Sequence, residues 1–194
     1  MTLHVAMVAS EAHPYARTGG LGDVLGALPI ALRREGVAVT LCLPGYPSAL
    51  AAANCGEPGQ TVHAPIGSRT EPVEFVRLLD RPFDVVLACA DRYFRRDFVY
   101  GPPGGAYPDN AERFVVFCRA VLEWLRQQSP PPDVLHVHAW QAALAVAFLR
   151  ANSFALLVTG TGGSLHASHL PVMVREKGQA IVLDMHMAKA NPQW

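Results

Sequence analysis

The chain has 194 residues, enough for one domain or for one domain and a fragment. Hydrophobic residues make up 51%, ample for a core, and sixteen basic residues balance sixteen acidic ones, so there is no cationic footprint for nucleic acid. Cys42, Cys55, Cys89 and Cys118 lack C-x-x-C spacing, no apolar run reaches the roughly 18 residues of a membrane span, and the first residues lack the charged-then-apolar pattern of an export signal; the expectation is a cytoplasmic protein with reduced thiols.

Leu3 to Ala9 reads as a short apolar strand. A glycine-bearing loop follows, Arg17-Thr18-Gly19-Gly20-Leu21-Gly22-Asp23, and then a helix from about Gly22 to Glu35. Val24, Leu25, Leu28, Ala31 and Leu32 recur at helical spacing and mark a buried face. Pro29 lies inside that span and predicts a kink or a late start, while Gly36 ends the helix. Val37 to Leu43 is nearly continuous in apolar residues, as in a parallel strand covered on both faces. A strand, a glycine turn and a helix make half of an anion site, because free N–H groups at the helix start face outward and glycine admits close approach. Spacing alone leaves open a plain βαβ crossover whose glycines only shape the turn.

Residues 49–70 show no clear period: a short helix near Ser48 to Ala53, then a loop. Val62 to Ile66 and Val73 to Leu79 form a candidate strand pair, and Phe83 to Ala88 a further apolar strand. Residues 91–110 read as one long loop, with Pro102, Pro103, Gly104 and Gly105 against regular structure. Asp109 is placed to cap the next helix, Ala111 to about Gln127, whose Phe114, Phe117, Val121, Leu122 and Leu125 share a face. Ser129 and three prolines stop it, Asp133 to Val137 is the next buried strand, and a last helix runs to about Ala151.

The wording of several segments goes further. Ser10-Glu11, Arg17-Thr18-Gly19-Gly20-Leu21-Gly22-Asp23-Val24, Gly26-Ala27-Leu28-Pro29, Leu43-Pro44-Gly45-Tyr46 and Tyr107-Pro108-Asp109-Asn110 resemble the opening of bacterial glycogen synthases and plant starch synthases. That resemblance covers about residues 3–152. It implies an α/β fold, the Rossmann-like N-terminal half of a GT-B retaining glucosyltransferase, with ADP-glucose and an α-1,4-glucan as ligands. It places Arg17, Thr18, Gly19 and Gly20 at the sugar nucleotide, with Asp109 and Asn110 in the following loop. Arg17 stands where the family usually has lysine, a planar fork in place of a point charge.

His136-Val137-His138-Ala139-Trp140-Gln141 resembles the family's His-x-His-Asp-Trp motif at a strand end, where ligands of open α/β sheets bind. The resemblance places His138 and Trp140 at the glucosyl pocket. Ala139 occupies the position of the family's aspartate, so no intact catalytic residue is assigned. From the residues alone, Trp140 also reads as packing bulk and the histidines as strand-end residues. A His-x-His pair invites a metal, but no third ligand follows at familiar spacing, and no metal is expected.

After Asn152 the wording changes. Phe154 to Thr159 serves as a strand, yet no histidine follows Thr159 where the synthases have one. Leu165-His166-Ala167-Ser168-His169-Leu170-Pro171 and His186 through Ala190-Asn191-Pro192-Gln193-Trp194 resemble part of an FMN-binding split-barrel regulator. The tail reads as three short strands around Gly160–Gly163 and the Glu176–Gly178 turn, too little to hold FMN. The division expected is a synthase-type domain over 1–153 and a foreign tail over 154–194, with no cofactor, no nucleic acid, no membrane and self-association open. Two function classes follow: a glucosyltransferase half, weak or inactive alone, or a non-catalytic remnant that binds glucan or nucleotide. A flavin-binding regulator is a distant third.

Overall fold

A computed structural model of the chain describes residues 2–52, 56–79, 81–151, 157–161, 172–176 and 179–183. Strand β1 (His4–Val8) is an interior strand of a seven-stranded sheet, buried on both faces from Val5 onward. Its neighbours are β2 (Ala38–Pro44) on one side and β6 (Val134–His138) on the other, both parallel. Beyond β2 lies parallel β5 (Asp84–Cys89), then antiparallel β4 (Arg69–Leu78) and edge strand β3 (Gly56–Ile66). Beyond β6 lies parallel β7 (Leu157–Thr161). The apolar runs thus become the inner parallel strands, as their two-faced burial demands. Strands β8 (Val172–Glu176) and β9 (Gln179–Leu183) form a separate antiparallel pair.

Helix α1 (Gly20–Arg34) starts two residues before the expected Gly22, so the glycine pair forms its first turn. Pro29 is buried inside it without ending it. Gly36 sits at φ +80°, and Val37 N–H reaches back to the Leu32 carbonyl at 3.0 Å, the six-residue closure of a glycine stop. Helix α2 (Pro47–Ala51) opens on proline, which has no N–H to leave unsatisfied there.

Two stretches differ from the sequence expectation. The segment without clear period is mostly strand: β3 and β4 run longer than predicted and join through Gly67 at φ +59°. Their alternation is masked by a register shift between Pro58 and Thr61, where a Cβ on Gly59 would lie 2.3 Å from the Phe75 carbonyl oxygen. The long loop begins with helix α3 (Asp91–Phe94), pinned by burial of Tyr93 and Phe94, leaving 95–109 as the true loop.

Helix α4 (Asn110–Arg126) carries the largest apolar face, and Trp124 stacks on Phe75 at 5.2 Å between ring centres. Helix α5 (Ala139–Ala151) follows β6 directly. In the tail, Gly160 lies within β7 instead of in a turn; residues 162–163 and 177–178, also expected in turns, lie outside the described residues, as do 152–156. Among the described residues no helix is long and apolar enough to cross a membrane. Cys42, Cys89 and Cys118 are free thiols, each pushed up to about 12, chiefly by burial.

Candidate nucleotide-sugar site

Parallel strands deliver their following loops to one end of the sheet. The segments after β1, β5 and β6 therefore gather there, at the position where chain order reverses about β1.

After β1 the chain makes a tight bend, with Tyr15 and Ala16 N–H groups both donating to the Ala12 carbonyl. His13 N–H donates to the Gly22 carbonyl at 2.9 Å, which lashes this bend to α1. A Cβ on Gly22 would lie 2.9 Å from Arg17 Cγ, so glycine there lets the loop close on the helix. Arg17 is turned toward Asp23, with Nε 2.7 Å from Oδ1 and Nη2 2.8 Å from Oδ2, both side chains about half exposed. Gly19 and Gly20 are different: a Cβ built on either meets nothing within 4 Å. Gly19 caps α1 without any side-chain hydrogen bond, so no side chain of the cap meets the first N–H groups of the helix.

Glu11 holds this loop from beneath and is 3% exposed. Its Oε2 accepts the Thr18 backbone N–H, and its Oε1 accepts the Thr18 hydroxyl at 3.1 Å and the Tyr100 hydroxyl at 3.1 Å. Ser10 Oγ lies 2.7 Å from the same Tyr100 oxygen. Burial, and then the nearby Glu11 charge, push the Tyr100 hydroxyl well above its usual range, so it stays a donor.

Tyr100 belongs to the 95–109 loop, which is tied at its far end. Asn110 donates to the Tyr100 carbonyl at 2.8 Å and accepts from Arg113 Nη1 at 2.6 Å. Arg113 is fully buried and also donates to the carbonyls of Tyr93 and Val99. Burial lowers its guanidinium from the ordinary arginine value. Asp109 stands at the N-cap position of α4 but makes no capping bond with its side chain. This corrects the capping expectation: Arg96 forks the carboxylate at 2.7 and 2.5 Å, a charge-assisted pair that outcompetes a neutral N–H. The same contact holds the Asp109 carboxyl below its usual range.

The third segment is the β6–α5 junction. His138 is fully buried, its ring 4.0 Å from that of His136. Ala139 sits at φ +60°, the left-handed region that alanine disfavours. Trp140 is 43% exposed and meets Phe114 edge-on at 5.5 Å, while Phe114 lies 6.1 Å from Tyr100.

The predicted residues thus fall into two kinds. Thr18, Gly19 and Gly20 lie at the start of α1, joined through Glu11 to Tyr100, and Trp140 shares Phe114 with Tyr100, while His138 is buried at the end of β6. Asp109 and Asn110 are occupied inside the protein, and Arg17 is occupied by Asp23. Sequence reasoning did not single out Glu11, Tyr100, Arg96 or Arg113. The one available signal was Ser10-Glu11 directly after an apolar strand, where two polar residues at a buried strand end need partners. Among the described residues no group of three or more His, Cys, Asp or Glu side chains is placed to hold a metal.

A family model for the starch synthase catalytic domain matches residues 4–160, and one for a putative FMN-binding domain matches residues 135–194. Glycogen synthase 2 of Geobacter sulfurreducens is 44% identical over 152 residues, covering 76% of this chain and 31% of that protein. The glycogen synthase of Geotalea daltonii is 35% identical over 168 residues, covering 84% of this chain and 35% of that protein. Among solved structures, the catalytic domain of starch synthase IV from Arabidopsis thaliana, bound to ADP and acarbose, aligns with a TM-score of 0.69 and 26% identity. That alignment covers 84% of this chain and 34% of the plant chain. The chain spans about a third of the length of the relatives it matches. Its fold is that of the Rossmann-like N-terminal half of a GT-B glycosyltransferase, and over residues 4–160 the chain belongs to the starch synthase catalytic domain family.

Proposed function

We propose that this chain is the part of a retaining glucosyltransferase that receives ADP-glucose for transfer to an α-1,4-glucan, and that alone it transfers little or nothing. The observation that carries the reading is the open glycine pair at the uncapped start of α1. In this reading Gly19 and Gly20 bring backbone N–H groups to the diphosphate, and Arg17 and Thr18 flank it. Trp140 forms the wall on the sugar side, His138 is buried at the end of β6 and supports that junction, and Asp109 and Asn110 hold the loop beside it. The working unit is residues 1–153 with strand β7, which pairs with β6, the rest of 154–194 is a tail, and the setting is the cytoplasm. No cofactor enters the reading.

Transfer with retention develops positive charge on the sugar and negative charge on the departing phosphate, and its catalysis depends on prepositioned charge around both. Ala139 offers none near the sugar, and Arg17, the cation beside the diphosphate, is already paired with Asp23. Losing one such contact commonly costs on the order of 10²–10³ in rate.

Calorimetric titration with ADP-glucose tests the site. Gly20→Leu fits the open space and a helical backbone, so it is expected to keep the fold and weaken binding at least tenfold. Unchanged affinity would mean that the loop only shapes a turn. Incubation with ADP-glucose and glycogen is expected to release almost no ADP; turnover of roughly 1–10³ per second would overturn the inactive reading.

A further inference from the structure

We infer that Glu11 is a positioning residue that clasps the glycine loop to the 95–109 loop, so that the two loops form one rigid unit and a nucleoside diphosphate on the first senses the second. The inference rests on the reading of the glycine loop as the nucleotide site and names what keeps that loop in binding shape.

Three observations carry it. Glu11 is 3% exposed, and a buried carboxylate must have its lone pairs met by donors. The donors come from two segments far apart in sequence: Thr18, through its N–H and hydroxyl, and Tyr100, through its hydroxyl. Tyr100 is itself anchored, because its carbonyl accepts the Tyr107 N–H and the Asn110 amide, both at 2.8 Å, and Asn110 is held by buried Arg113. A chain of satisfied bonds therefore runs from the α4 N-terminus to the residue preceding Gly19. Glu11 is buried and its bonds go to Thr18 and Tyr100, so its role at the glycines is indirect. Each hydrogen bond to an ionised acceptor is stronger than a neutral one, which makes Glu11 the firmest joint in that chain.

The clasp predicts that a change on the distant loop loosens the glycine loop. Tyr100→Phe removes one hydroxyl and keeps the ring that packs on Phe114. Hydrogen exchange read at single residues in the full chain is expected to show a slow Thr18 amide that exchanges at least tenfold faster in Tyr100→Phe. Glu11→Gln is expected to do the same, and the double variant to be no worse than Glu11→Gln alone, since both cut the same joint. Affinity for ADP, titrated in parallel, is expected to fall at least fivefold in each variant, with Gly20→Leu weakening ADP while leaving the Thr18 amide slow. If Glu11→Gln does not fold, Tyr100→Phe decides the matter alone. An unchanged Thr18 exchange rate in Tyr100→Phe would overturn the clasp. If the parent chain does not bind ADP, the site reading fails while the exchange experiment still decides whether the loops are joined.

Discussion

The left-handed backbone at Ala139 gives a prediction with a defined sign. An L-residue with a Cβ in that region loses roughly 1–2 kcal/mol relative to right-handed conformations. Glycine has no such loss but adds back about 0.5–1 kcal/mol of chain entropy. Ala139→Gly is therefore expected to stabilise the fold by up to about 1.5 kcal/mol. For a chain of this length that raises the melting temperature by up to about 6 °C. Asparagine and aspartate tolerate the same backbone better than alanine, and Ala139 opens α5, where the helix dipole favours a negative charge. Ala139→Asp should then gain a further 0.3–1 kcal/mol or so over Ala139→Asn at neutral pH. The sign follows from linkage. A helix start holds the aspartate below its unfolded pKa of about 3.9, so the extra stability is full above that value and lost as pH falls through the folded pKa. Thermal melts of the three variants and the parent at pH 7 and pH 3 provide the assay. The Asp and Asn variants should separate at pH 7 and converge at pH 3. A Gly variant that melts several degrees below the parent would refute the strain argument, and an Asp variant whose advantage grows in acid would refute the dipole argument.

Two further outcomes follow from the 95–109 loop. Asn110→Ala removes a donor from the Tyr100 carbonyl and an acceptor from buried Arg113, so urea unfolding should show a loss of about 2–4 kcal/mol, and a loss below about 0.5 kcal/mol would sink the account. The Arg96–Asp109 pair is about a quarter to a third exposed, and a double-mutant cycle should give a coupling of about 0.5–1 kcal/mol at pH 7. Because Arg96 lowers the Asp109 carboxyl, that coupling should be full above about pH 4 and fade as pH falls further; growth on acidification would contradict it.

The parallel core was legible in the sequence because burial on both faces leaves near-continuous apolar runs at 4–8, 38–44, 84–89 and 134–138. The glycine loop was legible as wording and as a turn signal. The clasp was not, because Glu11 and Tyr100 lie 89 residues apart and nothing in either neighbourhood announces the other. Asp109 was misread for a related reason: its helix-start position is visible locally, but Arg96 is brought to it only by the folded loop. The β3–β4 hairpin was cut short because a bulge breaks the period on which strand reading depends.

The order of strands also has a consequence in time. Val5 pairs with Val39 on one side and with Val134 on the other. During synthesis the first partner of β1 emerges early, whereas the second needs roughly 95 more residues, about 5–19 s at about 5–20 residues per second. For that interval this interior strand of the sheet has one open flank, and the ends of β1 and β6 that frame the candidate site do not yet coexist. The candidate site is thus a late product of folding, assembled only when the chain has passed His138, while the β1–α1–β2 unit is ready to form well before it.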